Sequence, residues 1–225
     1  MLLNYLYANF LEEHDFARAC GLSEDGLAAM MENQIIPSAS YTYSGHGRST
    51  SFVSDFHDET VCRFHLKGHV DWQKTVTRLG LNRESDARAH FFQRYNNAMN
   101  TFFTNVLGQQ LSAVEPDIEN RFNSEHANAT WRNFLDGVYG VCTRDGQPES
   151  IFQKQVGVMF VEHLIAGETD ELPQEQLDLL ARTVSFLDAV ASEFAPHETA
   201  ISSRQRCIID VRARFLGSTC DMVSA

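Results

Sequence analysis

Cys62, His65 and His69 follow one another at i, i+3 and i+7, with His57 just upstream. On a helix that spacing aligns thiol and imidazole metal ligands along one stripe. Gly68 interrupts a continuous helix there and no fourth ligand follows, so no metal is assigned; Glu59 and Asp71 are either further ligands or solvated charge. A second chemical group lies further on, where Cys142 with His126 or His163 would give a thiolate pair. A nucleophilic cysteine needs a base within hydrogen-bond reach and surroundings that lower its pKa; the competing reading is a small buried residue after Val138 and Val141. Tyr139 and Glu149 either line a pocket or simply pack and cap, because an acid beside Pro148 at a helix start is favourable for local reasons. Lys154 and Arg204 either fix an acidic substrate or partner, or form surface ion pairs. The candidate substrate-binding set is therefore Tyr139, Cys142, Glu149, Lys154 and Arg204, with no catalytic residue and no cofactor assigned.

These residues need elements to hold them, and turn chemistry marks the first ones. Residues 15–20 form a short helix that stops at Gly21, and Ser23 caps a second, with Glu24 and Asp25 in its first turn and Leu27, Met30 and Met31 on one face. Ile35-Ile36-Pro37 ends it, since the residue before proline leaves the helical region. Residues 38–43 and 49–53, rich in aromatic, Thr and β-branched side chains, flank Gly45-His46-Gly47 and predict a hairpin turning at those glycines.

Almost everything beyond is helical. His69–Leu79 places Val70, Val76 and Leu79 on an apolar side with Trp72 as an anchor and Gly80 as the stop. A longer helix runs from Ser85 to about Leu107, with Phe92, Tyr95, Met99, Phe102 and Val106 recurring at spacings of three and four. So wide a face belongs either to a bundle core or to a homodimer interface. Further helices are expected over 129–142, 149–165, 174–194 and 202–215, with 108–125 the least patterned stretch and 166–171 a polar connection. Gly137 and Gly140 fall inside the first of these and cost about 1 kcal/mol each relative to alanine, so close approach of a helix or ligand should offset them. The fold class predicted is mainly α: a winged helix-turn-helix-like module with a small β-hairpin at 1–60, then a helical domain at 61–225.

The module at 15–56 resembles a MerR-like winged helix-turn-helix, whose usual ligand is DNA. Residues 1–60, however, carry two cations, Arg18 and Arg48, against nine acids, a net of −7. Phosphate contacts supply most DNA affinity, and a surface of this sign repels them. A second resemblance covers most of the chain. Tyr139-Gly140-Val141-Cys142 with Pro148-Glu149, together with Trp131–Asp136, Phe186–Val190, Phe194–His197 and Ser203-Arg204, resembles a bacterial family that has a domain of unknown function and is labelled as natural-product biosynthesis. That resemblance implies work beside biosynthetic enzymes and names no reaction.

Composition agrees with a folded, acidic protein. The net charge of −12 disfavours nucleic acid and anionic membrane surfaces, no apolar run approaches a membrane span, and the first residues lack a basic n-region. Five cysteines without a CxxC pair read as reduced thiols, hence a cytoplasmic setting. Dinucleotide, phosphate-loop, α/β-hydrolase and HExxH signatures are all missing from the sequence. Two classes of function follow: an accessory or recognition protein that binds a protein partner or small molecule through the winged module, or a small helical enzyme with a pocket around Tyr139, Cys142 and Glu149. A DNA-binding regulator is the third.

Overall fold

The computed structural model describes residues 2–167 and 172–217. The polar connection expected at 166–171 and the fifth cysteine, Cys220, lie wholly or largely outside the described residues. The protein is mainly helical, with a small three-stranded antiparallel sheet in the order β1-β3-β2.

Helix α1 (Leu2–Asn9) leads into β1 (Phe10–Glu12), and neither was marked by the sequence pattern. Helices α2 (Glu13–Cys20) and α3 (Glu24–Glu32) follow the expected turn chemistry. Gly21 ends α2 at φ 72°, and the Ser23 hydroxyl accepts from the Gly26 N–H at 3.1 Å. Strands β2 (Tyr41–Thr50) and β3 (Asp55–Leu66) then pair from Tyr41↔Phe64 to Thr50↔Asp55. The Gly45–Gly47 turn expected from the sequence is corrected here, because both glycines lie within β2 and the chain reverses at Ser51–Ser54. There the Ser51 hydroxyl accepts from the backbone N–H groups of Val53 and Ser54 and forms the tight turn that a Gly-x-Gly signal only mimicked. β3 continues through residue 60 to Leu66, where it pairs with β1.

The body begins with α4 (His69–Arg78). The Trp72 indole N–H donates to the Ile35 carbonyl at 3.0 Å, tying the helix to the segment behind α3. Leu79, expected on the apolar side, is exposed beyond the end of α4. The predicted long helix is two: α5 (Glu84–Thr104) and α6 (Val106–Val114). Asn105 is extended (φ −84°, ψ 166°) and its side chain accepts from Gly108 N at 2.8 Å, capping α6. Val106 therefore starts a new helix and is exposed instead of extending the apolar stripe. Part of the supposedly unpatterned 108–125 segment is thus helical, followed by a single 3₁₀ turn at Ile118–Arg121.

The helix expected over 129–142 also divides, into α7 (Ser124–Leu135) and α8 (Val138–Cys142), at Gly137 with φ 73°. Close approach does account for both glycines. A Cβ on Gly137 would lie 2.7 Å from the Ser38 carbonyl oxygen, and one on Gly140 would meet Ser40 and Leu66. The strand-leading segment 38–40 thus lies directly on the central motif, and Ser38 N donates to the Leu135 carbonyl at 2.8 Å. Helices α9 (Pro148–Leu164) and α10 (Gln174–Val190) form the largest helix pair, and the chain continues from Ser203 in wide, π-type turns at Gln205–Ile209 and Arg212–Leu216.

One core joins the N-terminal helices to the body. Phe16, Leu27, Ile35 and Ile36 are buried with Trp72, Phe91, Phe134, Phe152 and Phe160. Its aromatics meet edge to face, Trp72 on Phe134 at 5.2 Å and Tyr95 on Phe152 at 5.4 Å. A smaller cluster of Leu6, Phe10, Phe64 and Leu66 fills the space under the root of the sheet.

Candidate functional site

The five residues singled out in the sequence fall into three environments. Tyr139 and Cys142, on α8, face Lys154 and Gln155 of α9. Gln155 bridges this area: its amide N–H donates to the Tyr139 hydroxyl at 2.8 Å and to the Thr130 hydroxyl at 3.1 Å, while its carbonyl accepts from Tyr95 at 2.5 Å. The His126 ring nitrogen lies 3.3 Å from both the Tyr95 hydroxyl and the Gln155 carbonyl. Every polar group in the chain Tyr95–Gln155–Tyr139 therefore has a partner, which suits a structural network in a low-dielectric core. Burial raises the pKa of Tyr95 and of Tyr139, so both phenols stay protonated near neutrality.

Cys142 is buried and its thiol is pushed up by that burial; Lys154 beside it pulls the other way without reversing the shift. The Cys–His pairing weighed above does not form. His126 is engaged with Tyr95 and Gln155, and His163 Nδ1 sits 2.7 Å from the Glu115 carboxylate. A protonated, enclosed thiol is a weak nucleophile and suits packing.

Glu149 belongs to a different place. It takes a bidentate pair from Arg94 of α5, 2.7 Å at each oxygen, on the wall of a cleft of ≈ 370 Å³ that also includes Asn97, Thr101, Asn105 and Gln153. Arg204 is elsewhere again. With Arg212 it closes on Asp188 at 2.7 and 2.9 Å, and it reaches Glu193 at 3.2 Å. Burial opposes ionisation of Asp188, but the two guanidiniums outweigh it and hold the carboxyl below its ordinary range. The positive charge of Arg204 is thus already matched within the protein.

The Cys62/His65/His69 stripe is corrected by the strand. Cys62 and His65 lie on β3, three residues apart, and successive side chains of a strand point to opposite faces. Cys62 joins the cluster under the sheet, whereas His65 stacks on Phe16 at 4.5 Å with its Nε2 3.5 Å from Glu13. His69 begins α4, fully enclosed, with neither ring nitrogen hydrogen-bonded. Burial, with a smaller contribution from His65, lowers its pKa to about 3. Among the described residues no group of three or more His, Cys, Asp and Glu is placed to hold a metal ion.

What lies open is the ribbon. From Gly47 to Val61 the β2–β3 pair is exposed residue after residue, with both faces in solvent. It ends in Phe52, wholly exposed, and Val53, 80% exposed, with Phe56 (60%) and Val61 (64%) on the return strand. Sequence reasoning located a hairpin but not this projection. Its signal was the length of the polar stretch 41–61, too long for the short wing assumed. Gln155 was also missed, although a glutamine between Ile151, Phe152 and Val156 on an apolar helix marks a polar group that needs buried partners.

The architecture is that of a mainly helical protein with a small antiparallel sheet. Residues 87–216, from α5 to the C-terminal turns, match the family described as Family of unknown function (DUF6058), and the chain belongs to that family. No curated protein and no solved structure matches the chain.

Proposed function

We propose that the protein is an accessory recognition protein of a bacterial natural-product pathway, and that residues 1–60, a winged helix-turn-helix turned away from nucleic acid, contact a protein partner. The carrying observation is the ribbon with its apolar tip. A projecting element that holds Phe52, Val53 and Phe56 in water is the kind of exposed apolar feature that marks an interaction site, and aromatic side chains are the usual anchors of such contacts. The order of α2, the Gly21–Ser23 turn, α3 and the ribbon supports the winged comparison. The −7 balance of residues 1–60 supports a protein rather than a phosphate backbone as the partner. A cytoplasmic setting suits the four described cysteines, all free thiols. The bundle adds support from the other side: Glu149 and Arg204 are paired internally and Cys142 is held protonated, so in that set the carboxylate, the guanidinium and the thiol are already engaged or enclosed.

The test places a photo-crosslinking amino acid at position 52 of the full chain in its native cell, with Leu79, exposed on the body, as the control position. A discrete protein adduct at 52, absent at 79 and lost with Phe56→Ser, is expected. Adducts at neither position, with pathway output unchanged by Phe52→Ser/Val53→Ser, would overturn the reading.

A further inference from the structure

We infer that the outer edge of β2 pairs antiparallel with β2 of a second copy of this chain. The inference concerns the backbone edge of the ribbon, goes beyond the partner reading for its tip, and holds or fails independently of it. In the order β1-β3-β2, β2 is an outer strand, and among the described residues no backbone hydrogen bond leaves its far side for any other element. Ten residues of strand, roughly 30 Å, thus carry a row of unpaired N–H and C=O groups. Such an edge is a template for another strand unless charge, proline or a bulge blunts it.

The two outer edges of the sheet differ in this respect. β3 is covered by β1 only at Phe64–Leu66, and its remaining edge is guarded by Asp55, Asp58, Glu59 and Arg63. β2 reads Tyr-Thr-Tyr-Ser-Gly-His-Gly-Arg-Ser-Thr, with one fixed charge, no proline and an unbroken register. A foreign strand selected by charge would find the acids of β3. The neutral edge fits an equally neutral strand, and a second β2 is one.

Two-fold pairing about His46 sets Gly45 opposite Gly47, Ser44 opposite Arg48, Tyr43 opposite Ser49 and Thr42 opposite Thr50. The two Arg48 side chains then stand four residues apart along the pair, roughly 13 Å, so like charges are not brought together. A two-fold about Glu59, the middle of the uncovered stretch 55–63 of β3, would set Glu59 opposite its own copy and bring the two Asp58 side chains within two residues of each other. Pairing through β2 yields a six-stranded sheet with β1 on each flank and no neutral edge left open. Phe52 and Val53 lie past the last pair, so both tips stay outside the strand pairing, and the dimer would present the partner-binding feature twice.

Sedimentation velocity over a range of concentrations, using the full chain, provides the test. A monomer–dimer equilibrium is expected, and Ser44→Lys/His46→Lys should raise the dissociation constant at least tenfold while leaving the circular dichroism spectrum unchanged. His46→Cys should give a covalent dimer under mild oxidation that neither the native thiols nor Asp58→Cys, on the opposite edge, reproduces. A chain that stays monomeric at every concentration overturns the proposal. So does a dimer that is indifferent to the two lysines, or one cross-linked through Asp58→Cys instead. Phe56→Ser separates the two readings: it should leave the dimer intact and remove only the position-52 adduct to a foreign protein.

Discussion

The helical body and the β2–β3 ribbon treat their side chains in opposite ways. In the body most of the charged and polar groups considered are matched: Arg94 with Glu149, Arg204 and Arg212 with Asp188, and Gln155 with Tyr95, Tyr139 and Thr130, with the enclosed His69 ring as an exception. On the ribbon, aromatic and aliphatic groups stand in water and a strand edge is unpaired. Matched groups fix a shape, whereas unmatched ones have binding energy still available. The comparison locates stability in the body and recognition in the ribbon, and mutations in the two regions should separate those properties.

The largest expected effect is at Trp72, fully buried at the junction of α4 with Ile35, Phe91 and Phe134. Trp72→Ala removes a large aromatic and leaves the Ile35 carbonyl without its donor, and should cost about 3–5 kcal/mol in urea unfolding. A loss below about 1 kcal/mol would mean that the N-terminal helices and the body do not share one core.

A pH dependence comes next. His69 is neutral when folded, with its pKa lowered to about 3 from 6.5. The unfolded chain takes up a proton near 6.5 that the folded chain refuses, so stability is full above that pH and declines as pH falls toward 3. Between pH 7 and pH 5 the decline from this residue is about 2 kcal/mol. His65, lowered chiefly by burial with Glu13 pulling against it, adds in the same direction. Chemical denaturation at the two pH values should show the drop, and His69→Leu should remove most of it. An unchanged slope in that variant would place the acid sensitivity elsewhere.

Smaller again is the Arg94–Glu149 pair, which borders the ≈ 370 Å³ cleft. Both side chains are partly solvated, so the coupling energy from a double-mutant cycle of Arg94→Ala and Glu149→Gln should be about 0.5–1 kcal/mol and fall in high salt. A coupling of several kcal/mol, insensitive to salt, would show that the pair is more deeply enclosed than this.

The same contrast explains what the sequence disclosed. Helices with sharp chemical ends were legible: Gly21, Ser23 and Pro148 each act within one turn of the chain. Asn105 and Gly137 broke helices whose apolar rhythm ran straight through them, because rhythm records which face is buried and not whether the axis is continuous. Within the candidate set, Tyr139, Cys142 and Lys154 came together since α8 and α9 are neighbours in the chain. The partners of Glu149 and Arg204 were not readable, being set by tertiary packing: Arg94 lies 55 residues from Glu149. The ribbon turn was misplaced because Gly45-His46-Gly47 is a stronger local signal than Ser51–Ser54, yet the register continues through it.

The smallest effect on stability should come from the tip, and it is the sharpest test of the comparison. Phe52 touches so little of the protein that Phe52→Ser should change unfolding free energy by less than about 0.5 kcal/mol. The same substitution removes the most exposed aromatic of the chain, so any partner held by the ribbon should be lost, together with the adduct from a crosslinker placed instead at position 53. Trp72→Ala has the reverse signature, lowering the stability of the shared core while leaving the tip side chains unchanged in the molecules that remain folded. If Phe52→Ser instead lowered stability by 2 kcal/mol or more, the ribbon would be packed against something in the folded chain, and the division between a stabilising body and a recognising ribbon would not hold.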